Sequence, residues 1–159
     1  MRSRGTSKGG YWGKVHDTSP YRSGLEDLVS QQLERLGVKF RYENVTLPYV
    51  RPSRKCRYTP DFLLPNGIIV ETKGRFVTAD RQKMLQVKEQ HPDLDIRFVF
   101  SNPSAPISKR SKTTYAMWCE RYGFKYAKQF IPEAWLQEPT NKKAIKALKK
   151  FLKSQCNDE

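Results

Sequence analysis

The chain contains no apolar run approaching the roughly 20 residues that a membrane-spanning helix needs. Its start, MRSRGTSKGGYWGKVHD, lacks the apolar core of a signal peptide. Both absences lead to the expectation of a soluble protein that stays in the cytoplasm. Cysteine is scarce: Cys56, Cys119 and Cys156 are odd in number, widely spaced and without a C-x-x-C pair, so they suggest neither a disulfide framework nor a zinc site. Histidine is scarcer still, and His16 and His91 have no ligand-spaced partner, which marks both as surface residues rather than catalysts. Negative charge is also in short supply. With 30 Lys and Arg against 16 Asp and Glu, the formal net charge is +14, an imbalance that speaks about partners rather than fold. Nucleic acid is the first partner it suggests and an anionic membrane surface the second.

At 159 residues the chain is long enough for one compact domain with a sizeable core. Residues 1–22 carry five basic residues against one acidic and show no apolar periodicity, so they read as a flexible basic arm. Arg2, Arg4, Lys8, Lys14 and Arg22 are its candidate DNA contacts. Tyr11 and Trp12 could stack on a nucleic-acid strand, but basic arms also serve only solubility. A globular domain is expected over 23–138. In SGLEDLVSQQLERLG the residues Leu25, Leu28, Val29, Leu33 and Leu36 fall on one helical face, and Gly37 ends the helix. VKFRYENVTLPYV reads as a strand running into a stiff connector between Pro48 and Pro52. A hairpin follows, then a helix from about Thr78 to Gln90, a strand DIRFVF, a helix near TTYAMWCERYG, a short strand FKYAK and a helical turn PEAWLQ. The aromatics Trp118 and Trp135 read as core. Residues 139–159 are expected to form a lysine-rich tail or a basic amphipathic helix with Ile145, Leu148 and Leu152 on one side. The fold class is mixed α/β.

The hairpin, YTPDFLLPNGIIVETKG, carries charges that a hairpin does not need. If Pro65, Asn66 and Gly67 form a three-residue loop with Gly67 at positive φ, Leu63 faces Ile69 and Asp61 faces Glu71. Directly opposed residues share a face, with Cβ atoms about 4.5–5.5 Å apart, and like charges there oppose pairing. Two carboxylates about 4 Å apart repel by on the order of 1 kcal/mol in water and by more when partly buried. A divalent cation between them reverses the sign, and Mg²⁺, with Mn²⁺ as its substitute, is the economical choice. Lys73, two residues beyond Glu71, points to the same side of the strand, toward any phosphate held there. An E-x-K triplet on an open strand face is ordinarily solvated charge. Ile68, Ile69 and Val70, however, make this strand continuously apolar, as for one buried on both faces, which sets the charges on the rim of a core.

Glu26 admits two readings at this point. Ser23-Gly24-Leu25-Glu26 fits a capping box, in which Glu26 bonds back to the helix start. It also lies beside the apolar stripe, whereas Asp27 and Glu34 point away, so it can reach the rim of the core.

These residues resemble the phage endonuclease I family, the Holliday-junction resolvases of podophages. The likeness runs through YRSGLEDLVSQQLE, TPDFLLPNGIIVETKG, EQHPDLDIRFVFS and IPEAWLQEP, about three quarters of the chain. That family lies within the PD-(D/E)xK nucleases, whose motif stands here as Pro60-Asp61 with Glu71-Thr72-Lys73. The resemblance implies a restriction-endonuclease-like fold, a mixed sheet flanked by helices. It implies metal-dependent cleavage of branched DNA with Glu26, Asp61, Glu71 and Lys73 as catalytic residues, of which Asp61, Glu71 and Glu26 bind metal. It further implies a domain-swapped homodimer whose bridge matches about residues 47–53, with Glu26 of one subunit completing the other's site, working in the cytoplasm of a bacterial host. The ends of the chain depart from the family pattern. A duplex endonuclease or nickase without junction preference, and a non-catalytic DNA-binding protein of the same fold, are the rival expectations.

Overall fold

Ser23 starts the first helix by accepting the Glu26 N–H on its side chain, supplying a partner to one of the donors that a helix start leaves unpaired. Helix α1 runs Gly24–Arg35, and Gly37, at φ +65°, ends it. The computed structural model describes residues 20–51 and 54–152. The basic positions Arg2, Arg4, Lys8 and Lys14 therefore lie outside the described residues, as does the end of the tail beyond 152.

After α1 the elements are β1 (Arg41–Tyr42), β2 (Leu47–Arg51), β3 (Arg54–Tyr58), β4 (Phe62–Leu63), β5 (Ile68–Lys73) and α2 (Thr78–Gln90). There follow β6 (Asp95–Phe100), α3 (Tyr115–Tyr122), β7 (Lys125–Lys128), α4 (Glu133–Gln137) and α5 (Lys142–Leu148), which tightens into a 3₁₀ turn over Lys149–Phe151. The main sheet has the order β1-β4-β5-β6-β7. Its first two pairings are antiparallel and its last two parallel, so it is a mixed sheet flanked by helices. The single strand expected over VKFRYENVTLPYV is instead two. Glu43 sits at φ +45°, a left-handed backbone that cannot continue a strand, and beyond it the chain leaves the main sheet. β2 and β3 then form a separate antiparallel ribbon, with Leu47 opposite Tyr58 and Arg51 opposite Arg54.

Helices cover both faces of the sheet. On one face Leu25, Val29 and Leu33 of α1 and Trp135 of α4 meet Phe62, Leu64, Ile68, Val70 and Val99. On the other, Met84 and Val87 of α2, Trp118 of α3 and Leu148 of α5 meet Leu63, Ile69, Phe98 and Phe100. β5 is central and buried along its first five residues, as its unbroken apolar run predicts. The segment after Pro139 is helical and packs onto this core through Ala144 and Leu148, so the globular body extends past residue 138 at least to Leu152, which bridges to Val45.

Two polar devices hold the layers in register. Gln32 of α1 offers its amide to the backbone of Ile131, donating to the carbonyl at 2.8 Å and accepting from the N–H at 2.9 Å, all buried. Arg97 on β6 is almost wholly buried, with both carboxylate oxygens of Asp95 and of Glu138 within 2.9 Å of its guanidinium. A buried guanidinium needs this many acceptors to offset its lost hydration. Nothing in DIRFVF read as a core strand foretold a buried cation.

Candidate functional site

The hairpin turn is the three-residue loop expected: Leu64 accepts from Gly67 and donates to Ile68, and Gly67 lies at φ +92°. The ladder pairs Phe62 with Val70 and Leu63 with Ile69, so one step further along Asp61 stands opposite Glu71. Asp61 is fixed through one oxygen, Oδ2, which accepts from the Thr72 N–H at 2.8 Å and the Thr72 hydroxyl at 2.7 Å. Glu71, 4% exposed, is held likewise: the Tyr58 hydroxyl donates to its Oε2 at 2.6 Å. Its other oxygen, Oε1, faces the Lys73 ammonium at 3.4 Å, and that ammonium also lies 3.6 Å from Asp80 Oδ1.

A second wall comes from the N-terminal segment. Glu26 is buried, and its Oε2 accepts from the Arg22 N–H and from the Tyr42 hydroxyl. The capping reading and the functional reading of Glu26 therefore coexist: Ser23 caps the helix, while the Glu26 carboxylate reaches back one residue beyond the cap and across to β1. Immediately after Tyr42, Glu43 donates its N–H to the Asp61 carbonyl at 3.1 Å. The left-handed turn at Glu43 brings it beside Asp61, and carboxylate oxygens of Glu26, Glu43 and Asp61 all lie within 4.8 Å of one another. The Arg22 guanidinium, 78% exposed, pairs with Glu43 at 3.0 Å.

Burial and neighbouring charge alter Asp61, Glu71 and Lys73. Burial, and then the charge of Glu71, push the Asp61 carboxyl up to about 8, against the opposing pull of the Thr72 hydrogen bonds. Burial raises Glu71 too, while Lys73 and the Tyr58 hydroxyl draw it back. For Lys73 burial works to lower the pKa, but Glu71, Asp80 and Asp61 outweigh it and the net direction is upward, so the ammonium stays charged. A carboxyl raised by burial and by a neighbouring carboxylate, as Asp61 is, is characteristic of functional sites.

Glu26, Asp61, Glu71 and Lys73 thus gather at one end of β5, in a single chain. Glu71 stands outside the trio of mutually close oxygens, turned toward Tyr58 and Lys73. Sequence reasoning missed Glu43, which it had placed inside a continuous strand, and the donors Tyr42, Tyr58 and Thr72. Only Thr72 carried a signal, its place between Glu71 and Lys73. Of the basic-arm candidates only Arg22 is described, and it is at the site's edge. His91 is at the end of α2, its ring N–H donating to the Pro48 carbonyl at 2.6 Å, away from these carboxylates.

The donor set suits a small hard cation. All three neighbouring side chains offer carboxylate oxygens, the donor type that Mg²⁺ and Mn²⁺ prefer. With their oxygens within 4.8 Å of one another, Glu26, Glu43 and Asp61 are the residues that would hold such an ion.

The phage endonuclease I family model matches residues 9–155. Endonuclease I of Escherichia phage T7 is 49% identical over 142 residues, covering 89% of this chain and 95% of the relative. Endodeoxyribonuclease 1 of Enterobacteria phage T3 is 50% identical over 131 residues, covering 82% of this chain and 86% of the relative.

Proposed function

The chain belongs to the phage endonuclease I family, and from that premise we propose that it is a metal-dependent, structure-selective endodeoxyribonuclease that resolves four-way and other branched DNA junctions. The observation that carries this reading is the meeting of Glu26, Glu43 and Asp61 within 4.8 Å, with Glu71 and Lys73 paired alongside.

In this reading Asp61, Glu26 and Glu43 hold one divalent cation, and Asp61 with Glu71 offers a second position. A bound Mg²⁺ or Mn²⁺ supplies Lewis acidity toward a phosphate oxygen and lowers the pKa of water, the nucleophile. The protein's own groups do the rest. Thr72 and Tyr42 keep the Asp61 and Glu26 carboxylates from turning away. Lys73 holds a positive charge at the site, kept there by Glu71 and Asp80, where it stabilises charge developing on the phosphate. Positive charge on the remaining surface, together with the arm residues Arg2, Arg4, Lys8 and Lys14, binds the phosphate backbone without reading sequence. Arg22 joins them by releasing Glu43.

The working form is a domain-swapped homodimer. Glu26 and Glu43 lie before the β2–β3 ribbon and Asp61, Glu71 and Lys73 after it, so opening the ribbon at its tip lets each chain lend its first segment to the other through the same contacts. Such an enzyme acts in the cytoplasm of the infected host cell.

Cleavage of a four-way junction against linear duplex of the same sequence, with and without Mg²⁺, tests the activity. Junction cutting that needs the metal is expected; equal cutting of both substrates leaves a duplex endonuclease or nickase, and no cutting a DNA-binding protein. The exchange has its own test, a co-expressed heterodimer with Glu26→Ala in one chain and Asp61→Ala in the other. A swapped dimer keeps one intact site and nicks a single strand. Complete loss of nicking would show that each chain builds its own site.

A further inference from the structure

We propose that Tyr58 is a positioning residue of this nuclease: its hydroxyl holds Oε2 of Glu71, so that Oε1 is presented to Lys73 and to the cation. The inference rests on the metal-dependent reading above.

Tyr58 is the last residue of β3, where the ribbon joins the catalytic hairpin, and it is 1% exposed. Its ring has little freedom. The backbone pairs with Leu47, the ring belongs to the core cluster that also holds Tyr49 and Met84, and the Lys83 ammonium sits 5.5 Å from the ring centroid. A hydroxyl carried on so fixed a ring is a fixed donor. At 2.6 Å from Oε2 it pins one oxygen of a flexible carboxylate, and rotation about the last side-chain bond of Glu71 would break that bond. With Oε2 taken, Oε1 is left at 3.4 Å from Lys73. Groups that orient a metal-binding carboxylate in this way account for about 10–100-fold in metal affinity or activity when removed.

The position of Tyr58 gives the arrangement a further meaning. Leu47, its ladder partner, begins β2, so the pairing that closes the root of the ribbon also fixes the donor to Glu71. Ribbon and carboxylate are set by one residue, and a ribbon that is not paired at its root leaves Glu71 without its orienting bond.

The test is Mn²⁺ binding to the full chain without DNA, followed by loss of the free-ion electron paramagnetic resonance signal. Tyr58→Phe keeps the ring and removes the donor, and the Mn²⁺ Kd of the Asp61–Glu71 position is expected to weaken about 10–100-fold. Val87→Ala, a buried change in the same core cluster, lowers Tm and leaves the Kd unchanged. A Tyr58→Phe Kd within about twofold of wild type, or an equal weakening in Val87→Ala, overturns the proposal. Asp61→Asn separates this inference from the reading beneath it. If Asp61→Asn loses Mn²⁺ and Tyr58→Phe keeps it, only the role of Tyr58 falls; if both bind like wild type, the metal site itself is wrong and the proposal falls with it. Should Tyr58→Phe not fold, 3-fluorotyrosine placed at position 58 gives the second measurement. Its ¹⁹F resonance should move as Mg²⁺ is added and stay still in the Asp61→Asn background, and a resonance unmoved by Mg²⁺ in the otherwise wild-type chain overturns the proposal.

Discussion

Replacing Asp61 by Asn should make the metal-free protein more stable at neutral pH while removing its activity. Burial and the charge of Glu71 hold the Asp61 carboxyl at about 8 in the folded chain, against about 3.9 in an unfolded one. Between those values the folded chain keeps a proton that the unfolded chain has released. Stability therefore falls as pH rises through that window, by about 1.4 kcal/mol per pH unit, and the loss accumulated by pH 7 is at most about 4 kcal/mol. Asn never ionises, and its amide oxygen can still accept from the Thr72 N–H and hydroxyl that now bond Asp61. Of the upper bound we expect about 2–4 kcal/mol to be recovered, since part of the side chain meets water, and this corresponds to roughly 5–15 °C in Tm for a chain of this size. Calorimetry from about pH 4 to pH 8 in the presence of a chelator measures it. The two proteins should melt together at the acid end and diverge as pH rises. Saturating Mg²⁺ should then raise the Tm of wild type, because an ion that binds only the folded chain stabilises it by mass action, and should do little for Asp61→Asn. Wild type as stable as the variant at pH 8 without metal would refute the reasoning.

Glu43→Asn removes a carboxylate but suits the left-handed backbone at φ +45°, so Tm should hold or rise while Mn²⁺ affinity, read by titration calorimetry, falls about tenfold or more. Gly67→Ala places a Cβ at φ +92° and 3.3 Å from the Asn141 carbonyl, and a loss of about 1–2 kcal/mol is expected in urea unfolding. Leu148→Ala opens a cavity under α5, where the side chain is 1% exposed, at a cost of about 2–5 kcal/mol in the same assay. Deleting residues 1–16 should weaken junction binding and make its salt dependence shallower, by about one in the log–log slope for each phosphate that the arm neutralises. An unchanged slope would make the arm a bystander.

What could be read in the sequence was whatever local pattern controls. The hairpin register followed from Pro65-Asn66-Gly67, the burial of β5 from its apolar run, and the approach of Asp61 to Glu71 from the two together. α1 followed from its apolar periodicity and its stop at Gly37, and α2, β6 and β7 stand where the sequence reading put them. The rest depends on contacts between distant segments. Glu43 enters the site because one residue turns left-handed where strand propensity favours continuation, and no neighbouring glycine or proline announces the turn. Tyr58 and Tyr42 look like ordinary core aromatics until the fold brings Glu71 and Glu26 to their hydroxyls. Arg97 is hidden in a strand whose pattern gives no reason for a cation, and its partner Glu138 lies 41 residues away.

The Asp61–Glu71 hairpin is clamped by segments that follow it far along the chain. Asn66, in its turn, donates to the Trp135 carbonyl at 2.8 Å and accepts on its own carbonyl from the Asn141 N–H at 2.8 Å, and Ile145 lies against Gly67. The parallel neighbour of β5 is also synthesised after it. A ribosome adding roughly 5–20 residues per second thus finishes the acidic residues of the site seconds before it finishes the segments that hold them still. During translation the carboxylates of Glu26, Glu43, Asp61 and Glu71 are therefore already joined in one chain while the segments that will fix their hairpin have yet to be made.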